Sequence, residues 1–361
     1  MGKKLRFGIV GCGGIAQAKH FPSLSKLDEV ELYGFSDHDG ERALEAKQQF
    51  GSKEAKVFPT FKEMIADSSI DVVHVCTSND SHADLTVLGL EAGKHVMCEK
   101  PMAITSSEAR RMNEAAERSN KKLTIGYNNR FRKDSMYLKK LCEQDALGDI
   151  YFAKAHALRR LGVPTWGTFL DKDIQGGGPL IDIGTHALDL TLWLMNNYKP
   201  KVVLGQTFHK LSKLKGRANP YGEWDPEDFS VEDSAFGMIK MENGATITLE
   251  SSWALHVRHD GAAKTTLCGT KAGADMWDGL HINGEENGEL YTRHIELEKK
   301  EVNFFETKPS TPGEVEARMW VEAILEDKEP VVTAHQALVV TEILEALYES
   351  SRTGKAIYFN E

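Results

Sequence analysis

The chain has 361 residues, a length that predicts two domains because a single hydrophobic core stops growing beyond about 250–300 residues. Its 44 basic and 54 acidic side chains give a formal net charge of −10 without a long basic cluster, which argues against a nucleic-acid-binding surface. Apolar runs are too short to span a membrane. The first predicted strand begins so close to Met1 that we expect no signal peptide, and we predict a cytoplasmic protein.

The cysteines fit the same interpretation. Their spacing contains no C-x-x-C pair, and several lie in apolar predicted strands. The five are Cys12, Cys76, Cys98, Cys142 and Cys268. We therefore expect buried, reduced thiols rather than disulfides, and no metal site.

The first predicted element is a buried strand over 5–10, followed by the glycine-rich turn GCGGIA over 11–16. This turn opens a predicted helix and matches the pattern G-x-G-x-x-[GA]. Gly11 would permit a tight turn, Gly13 would let the backbone approach a pyrophosphate, and Ala16 would let the helix pack closely. The helix N-terminus would offer N–H groups to the phosphates. The turn predicts dinucleotide binding; the alternative is a glycine-containing loop in an ordinary α/β protein.

The second predicted strand ends at Asp37. A carboxylate at this place can accept hydrogen bonds from the ribose hydroxyls of an adenosine and would repel a 2′-phosphate. Since His38 follows rather than an arginine, we expect NAD as the cofactor and NADP to be less favoured. The alternative is that Asp37 caps the helix that starts near Asp39.

Alternating strands and helices continue to residue 126. The predicted strands are 5–10, 31–36, 56–58, 71–76, 94–98 and 122–126. The predicted helices are 14–26, 39–50, 61–67, 82–92 and 105–120. This alternation predicts a Rossmann-type domain over 1–126, a doubly wound parallel sheet with ligands at the carboxyl ends of its strands.

A different pattern follows and predicts an α/β domain over 127–361 with a large open, mostly antiparallel sheet. Its strand-like segments are 149–160, 201–211, 231–241, 244–255, 263–269, 289–297 and 356–359. Its helices are 132–145, 179–196, 313–327 and 334–352, and a loop is predicted over 216–227. The C-terminal helix could pack back on the first domain.

Two motifs follow neighbouring strands of the first domain. The segment TSNDSH, from Thr77 to His82, has hydroxyl, amide and N–H groups that could line a cofactor, although Asn79 or Ser81 could simply cap a helix. The tripeptide EKP then places Lys100 at the end of the next strand. Its ammonium could bind a substrate oxygen and stabilise alkoxide character, whereas the alternative is a solvated surface lysine.

A third motif begins a helix in the second domain with GGGP over 176–179. Asp182 and His186 lie four residues apart, on one face of this helix, among apolar residues. A histidine beside a carboxylate suits a general base. The alternatives are a self-satisfied core pair, or Asp182 as a first-turn acid favoured by the helix dipole.

Along essentially its whole length, the chain resembles the glucose–fructose oxidoreductase / inositol dehydrogenase / MocA (Gfo/Idh/MocA) family. The resemblance is carried by the glycine-rich turn, Asp37, the EKP tripeptide, the GGGP…D-x-x-x-H helix and the stretch 231–235. The resemblance implies a Rossmann domain followed by an α/β domain whose open sheet often forms a subunit interface. It places the family's catalytic triad on Lys100, Asp182 and His186. It implies cofactor contacts at Gly11, Gly13, Ile15, Asp37, Asn79, His82, Glu99 and Asn128. From the turn and the strand end we add Gly14, Thr77 and Lys100 to the predicted cofactor contacts.

These residues predict an NAD(P)-dependent oxidoreductase that acts on a secondary hydroxyl of a sugar or cyclic polyol. His186 would accept the hydroxyl proton, Asp182 would orient it and Lys100 would hold the oxygen. The predicted substrate contacts are Lys100, Arg130, Trp166, Asp182 and His186. Two alternatives remain: a redox-neutral glycoside hydrolase that uses NAD transiently, and a non-catalytic NAD- or sugar-sensing regulator. We expect a homo-oligomer, a dimer or tetramer, formed through the open sheet face.

Overall fold

A computed structural model describes residues 4–297 and 311–359 and divides the chain into two compact units. The first consists of Met1–Asn128 with Pro309–Leu338, and the second of Asn129–Lys308 with Val339–Glu361. The first unit therefore contains a segment from near the end of the chain in addition to the predicted domain 1–126. The domain boundary between residues 126 and 127 remains a prediction.

The first unit is built on a six-stranded parallel sheet with the order β3-β2-β1-β4-β5-β6. Its strands are β1 (Leu5–Val10), β2 (Val30–Ser36), β3 (Lys56–Val57), β4 (Val72–Val75), β5 (His95–Cys98) and β6 (Leu123–Ile125). The strand order reverses between β1 and β4, which is where doubly wound sheets bind their ligands. The predicted Rossmann sheet is confirmed.

A helix lies in each connection between these strands. A π-helical segment, Ala16–His20, leads into α1 (Phe21–Leu24), and the others are α2 (Gly40–Phe50), α3 (Phe61–Ala66), α4 (His82–Glu91) and α5 (Ser106–Ser119). The side chains of Asp39 and Thr105 accept backbone N–H bonds at the starts of α2 and α5. These caps explain why the helices begin at those residues.

The second unit is built on a nine-stranded sheet with the order β14-β13-β12-β11-β7-β10-β9-β8-β15. Its strands are β7 (Ile150–Leu158), β8 (Pro200–Phe208), β9 (Ser234–Met241), β10 (Thr246–Ser252), β11 (Gly261–Gly269), β12 (Ala272–Asp275), β13 (His281–Glu286), β14 (Glu289–His294) and β15 (Ile357–Tyr358). Only β10 and β7 pair in parallel among these strands; the other pairs are antiparallel. The predicted open, mostly antiparallel sheet is confirmed.

The helices of this unit pack on the sheet or connect its strands. They are α6 (Lys133–Glu143), α7 (Lys172–Gln175), α8 (Thr185–Met195), which follows a π-helical segment Leu180–Gly184, and much of α10 (Ala334–Thr353). The sequence predicted a single regular helix over 179–196 and missed α7, β12 and β13. Both missed strands are short and contain glycine and charged residues, which have low strand propensity.

The segment that joins the first unit contains α9 (Pro312–Leu325), which starts with a capping box between Thr311 and Glu314. Its Ala317 and Trp320 belong to the hydrophobic core that also contains Phe7 and Phe21. Among the residues that the structure describes, none of the helices is long and apolar enough to cross a membrane.

Candidate functional site

The glycine-rich turn has one crowded side and one open side. Gly11 has a φ of +85°, and a Cβ there would lie 2.5 Å from the carbonyl oxygen of Cys76, so only glycine fits. A Cβ at Gly13 would meet only Arg42 Nη1, at 4.0 Å, and one at Gly14 would meet none of the described residues within 4 Å. The open side leaves room for a pyrophosphate to approach the backbone, as predicted for this turn.

The helix after the turn starts as the π-helical segment Ala16–His20, with Ile15 as its N-cap residue. An isoleucine side chain has no atom that can accept a backbone N–H bond, and Ile15 itself is exposed. The first N–H groups of the helix are therefore suited to a phosphate. Lys19 and His20 of this segment are buried, and π-helical turns are frequent at functional sites.

Asp37 is held rigidly at the end of β2. Its Oδ2 accepts the N–H of Cys12 at 2.7 Å and its Oδ1 accepts the N–H of Asp39 at 2.9 Å. The N-cap of α2 is Asp39, so the alternative interpretation of Asp37 as the helix cap is wrong. His38 Nδ1 and Arg42 Nη1 lie 3.0 and 3.6 Å from Oδ1. Arg42, in the first turn of α2, is thus a second basic neighbour of Asp37 besides His38.

The segment after β4 is ordered by its own side chains. The hydroxyl of Ser81 donates to Thr77 Oγ1 at 2.6 Å and to the Ser78 carbonyl at 2.8 Å, rather than capping α4. His82 is fully buried, with Nδ1 2.7 Å from the Pro101 carbonyl and Nε2 3.2 Å from the Thr77 carbonyl. Burial lowers the pKa of His82. His82 thus ties together the loops after β4 and β5, which argues against the direct cofactor contact predicted for it.

Glu99, next to Lys100, lies in a buried polar network. Its Oε1 contacts Lys19 Nζ and lies 2.8 Å from His20 Nε2, and its Oε2 accepts the N–H of Lys100 at 3.2 Å. Lys19 Nζ is also 2.9 Å from Glu316 Oε2, in α9. Burial by itself would raise the pKa of Glu99, but Lys19 and His20 outweigh it and hold that pKa well below its usual value. The network fixes the Glu99 carboxylate and the backbone of Lys100.

The helix predicted to be catalytic places Asp182 in the π-helical segment and His186 in the first turn of α8. Trp253 Nε1 donates to Asp182 Oδ2 at 3.0 Å, and Arg159 Nη2 lies 3.9 Å from the same oxygen. Both Asp182 and His186 are only partly buried. This partial exposure argues against the alternative of a self-satisfied core pair. An accessible His186 and an anchored Asp182 suit proton transfer better than core packing does.

The start of this helix is anchored by Glu232, for which the sequence analysis assigned no role. Its Oε2 accepts the N–H of Gly178 at 2.9 Å, and its Oε1 accepts the N–H of Leu180 at 3.1 Å and the hydroxyl of Tyr348 at 2.8 Å. A Cβ at Gly177 would lie 2.1 Å from Tyr348 Oη, which explains why glycine is needed there. Burial raises the pKa of Glu232, and hydrogen bonds from these donors lower it in part.

Two predicted substrate contacts have different surroundings. Arg130 is fully buried, donates from Nε and Nη2 to Asp189 at 2.9 and 2.5 Å, and contacts the Tyr198 hydroxyl at 3.3 Å. This buried ion pair argues against the predicted sugar contact of Arg130. Trp166 is 51% exposed and available to a ligand.

Asn128, a predicted cofactor contact, begins a 3₁₀ turn, Asn128–Phe131, and is half-buried.

The five cysteines are free thiols. Burial raises the pKa of Cys12 to about 12, and the charge of Asp37 adds to the effect. Over residues 4–297 and 311–359, no group of three or more histidine, cysteine, aspartate or glutamate side chains could hold a metal ion.

The doubly wound sheet, the open glycine turn and the carboxylate at the end of β2 define a dinucleotide-binding protein with a second α/β unit. Two family models match the chain: the oxidoreductase family's NAD-binding Rossmann fold over residues 5–127, and its C-terminal alpha/beta domain over residues 139–359. The chain belongs to this family, the Gfo/Idh/MocA oxidoreductases. It is therefore an enzyme of the oxidoreductase class.

Three similar proteins cover almost the whole chain. D-glucoside 3-dehydrogenase of Escherichia coli (strain K12) is 35% identical over 98% of this chain and 97% of its own length. A scyllo-inositol 2-dehydrogenase (NADP(+)) of Bacillus subtilis (strain 168) is 27% identical over 98% and 95%. The structure of aldose-aldose oxidoreductase from Caulobacter crescentus is 25% identical, with a TM-score of 0.80, over 99% of this chain and 100% of its own. These relatives confirm the prediction of an NAD(P)-dependent sugar or polyol oxidoreductase.

Proposed function

We propose that this enzyme removes hydride from C3 of a glucoside and passes it to C4 of the nicotinamide of NAD, in a reversible reaction. The observation that carries the proposal is the 35% identity, along nearly the full length of both chains, with D-glucoside 3-dehydrogenase. The partly exposed His186 and the anchored Asp182 support the same chemistry. A secondary alcohol becomes a ketone, and the acceptor for the C3 hydrogen with its electron pair would be the nicotinamide of bound NAD.

In the proposed mechanism, His186 accepts the proton of the C3 hydroxyl, and Asp182 orients the imidazole of His186. Trp253 and Arg159 hold the Asp182 carboxylate, so that little reorganisation is needed when the proton moves. The Lys100 ammonium stabilises the developing alkoxide. Bound NAD supplies the hydride acceptor, while the protein aligns the reacting groups.

We also propose NAD rather than NADP as the cofactor. The residues that would bind it are Gly11, Gly13, Gly14, Ile15, Asp37, Thr77, Asn79, Glu99, Lys100 and Asn128. Asp37 supports this choice because two backbone N–H bonds hold its carboxylate in place at the end of β2. A fixed negative charge there favours ribose hydroxyls over a 2′-phosphate.

A homo-oligomer formed through the open face of the nine-stranded sheet is a further part of the proposal. Leu204 and Met238 are directly paired on β8 and β9 and are 47% and 48% exposed. Such paired apolar side chains on a sheet face support burial by a second copy. A Met238→Glu variant should sediment as a smaller species than the wild type. A cytoplasmic location remains a prediction, to be tested by cell fractionation.

The proposed activity is tested by NADH absorbance with NAD and methyl α- or β-glucoside, glucose or myo-inositol. We expect the strongest signal with a glucoside and a 3-keto product by NMR. His186→Ala should lower kcat by about 10²–10⁴-fold, which is the usual contribution of a positioned acid–base group. The exposed His209 provides the matched control, His209→Ala, which should behave like the wild type. Oxidation at another carbon, or a fully active His186→Ala, would overturn the proposal.

A further inference from the structure

Two aromatic side chains in the loops of the second unit are exposed together. Trp166 is 51% exposed and Tyr221 is 48% exposed. Their ring centroids lie 4.8 Å apart with an interplanar angle of 75°. Exposing two large rings side by side leaves apolar surface in water, which suggests that a ligand covers them.

An unbroken series of aromatic contacts connects this pair to Asp182. Trp166 packs against Phe169 with 5.6 Å between the ring centroids, and Phe169 packs against Trp253 at 6.4 Å. The indole of Trp253 donates to Asp182 Oδ2 at 3.0 Å. Two aromatic side chains, Phe169 and Trp253, therefore connect the exposed pair to Asp182.

The loops that carry the two rings are held together by polar contacts. Asn219 Oδ1 accepts the N–H of Val163 at 3.1 Å, and its Nδ2 donates to the Val163 and Gly222 carbonyls at 2.9 and 2.7 Å. The Thr165 hydroxyl donates to the carbonyl of Tyr221. Trp166 and Tyr221 are thus presented by clamped loops, which reduces the loss of conformational entropy when a ligand binds.

We propose that Trp166 and Tyr221 form a second sugar-binding subsite, which packs against the aglycone pyranose ring of a disaccharide whose glucosyl unit is oxidised at Asp182 and His186. This inference rests on the proposed function. The C–H bonds on one face of a pyranose carry a small positive charge and pack on the negative face of an aromatic ring. The pair lies at the opposite end of the aromatic series from Asp182. We therefore expect a second sugar, rather than the glucosyl unit that is oxidised, to cover it.

The test compares substrates that differ only in the second sugar. Methyl α-glucoside is paired with maltose and methyl β-glucoside with cellobiose, using the anomer that the wild type oxidises. Trp166→Ala and Tyr221→Ala should each lower the ratio of kcat/KM for the disaccharide to that for the methyl glucoside by about threefold to tenfold, the size expected for one aromatic contact. Trp166→Phe should recover most of the ratio.

The exposed Tyr358, in β15, provides the matched control, since Tyr358→Ala removes a similar ring and should leave the ratio unchanged. Thermal unfolding of each variant separates a folding defect from a binding defect. An unchanged ratio in Trp166→Ala and Tyr221→Ala overturns the subsite while the proposed function stands. If the wild type oxidises neither methyl glucoside nor either disaccharide, the proposed function fails and the subsite fails with it.

Discussion

Lys19 and Glu316 form a buried ion pair, with 2.9 Å between Nζ and Oε2, although they come from opposite ends of the chain. The same ammonium contacts Glu99, so two buried carboxylates share one positive charge. Burial raises the pKa of Glu316 and Lys19 offsets this only in part, whereas the pKa of Glu99 is held well below its usual value. The proton therefore prefers Glu316, and the ionised carboxylate is the one beside Lys100.

The pH dependence of stability should reveal this division. The pKa of Glu316 is about 4.5 in the unfolded chain and is raised in the folded state. Between these two pKa values the unfolded chain loses the proton more readily than the folded protein does, so the free energy of unfolding falls as pH rises through this range. Glu316→Gln has no proton to lose. The melting temperature of this variant relative to the wild type should therefore increase over this pH range. The shift should be about 2–4 °C for each kcal/mol of unfolding free energy that the wild type loses. A difference that is independent of pH would contradict the assignment.

Glu99→Gln provides the matched control with the opposite sign. The stabilisation from ionised Glu99 is present above about pH 4.5 and is lost as pH falls through its lowered pKa. The melting-temperature deficit of this variant should be constant above pH 4.5 and shrink below it. The melting temperature of Glu316→Gln relative to the wild type should thus change above about pH 4.5, and that of Glu99→Gln should change below it.

Removing Glu232 should loosen the start of the helix that carries Asp182 and His186. Glu232→Ala leaves the N–H groups of Gly178 and Leu180 and the hydroxyl of Tyr348 without this acceptor, and we expect a loss of about 1–3 kcal/mol in the free energy of unfolding. Glu232→Gln keeps one acceptor oxygen and should lose less. Urea denaturation measures both values, and a Glu232→Ala variant as stable as the wild type would exclude the anchoring role.

Trp253→Phe should impair turnover through Asp182. The change removes the indole N–H that binds Asp182 Oδ2 but keeps an aromatic ring in the buried position. Losing a hydrogen bond to a charged group typically corresponds to about 1.5–3 kcal/mol, so kcat should fall at least about tenfold with a smaller change in KM. Trp224→Phe is the control because it removes an indole bond to the Ser212 carbonyl instead. Equal effects in both variants would point to general loosening.

Asp37→Ser should shift cofactor preference towards NADP. The change removes the negative charge while His38 and Arg42 remain close to the same position and can attract a 2′-phosphate. We expect the ratio of kcat/KM for NAD to that for NADP to fall by about tenfold or more, which corresponds to a change of roughly 1.4 kcal/mol or more in relative transition-state binding. Asp39→Ser, at the exposed N-cap of α2, removes a neighbouring charge but should leave the ratio near that of the wild type. A similar shift in both variants would attribute it to the overall charge.

The sequence predicted the roles of some residues and not of others. Arg130 looked available for a sugar because arginines are usually exposed, but its partner Asp189 lies on α8 and buries it. His82 follows a strand end, as a ligand-binding residue would, yet both its ring nitrogens contact carbonyl oxygens of nearby loops. Asp189 is 59 residues from Arg130 and Pro101 is 19 residues from His82, so neither of these partners leaves a signal in the local pattern.

By itself, the sequence determined the Rossmann unit, its glycine-rich turn, the position of Asp37 and the helix that carries Asp182 and His186. These features depend on hydrophobic periodicity and on glycine geometry, which are local properties of the chain. Only the tertiary structure decided that Glu316 shares Lys19 with Glu99, that Glu232 anchors the helix that carries Asp182 and His186, and that Trp253 holds Asp182. Those contacts join residues far apart in sequence, and they form because folding buries polar groups that must then find partners.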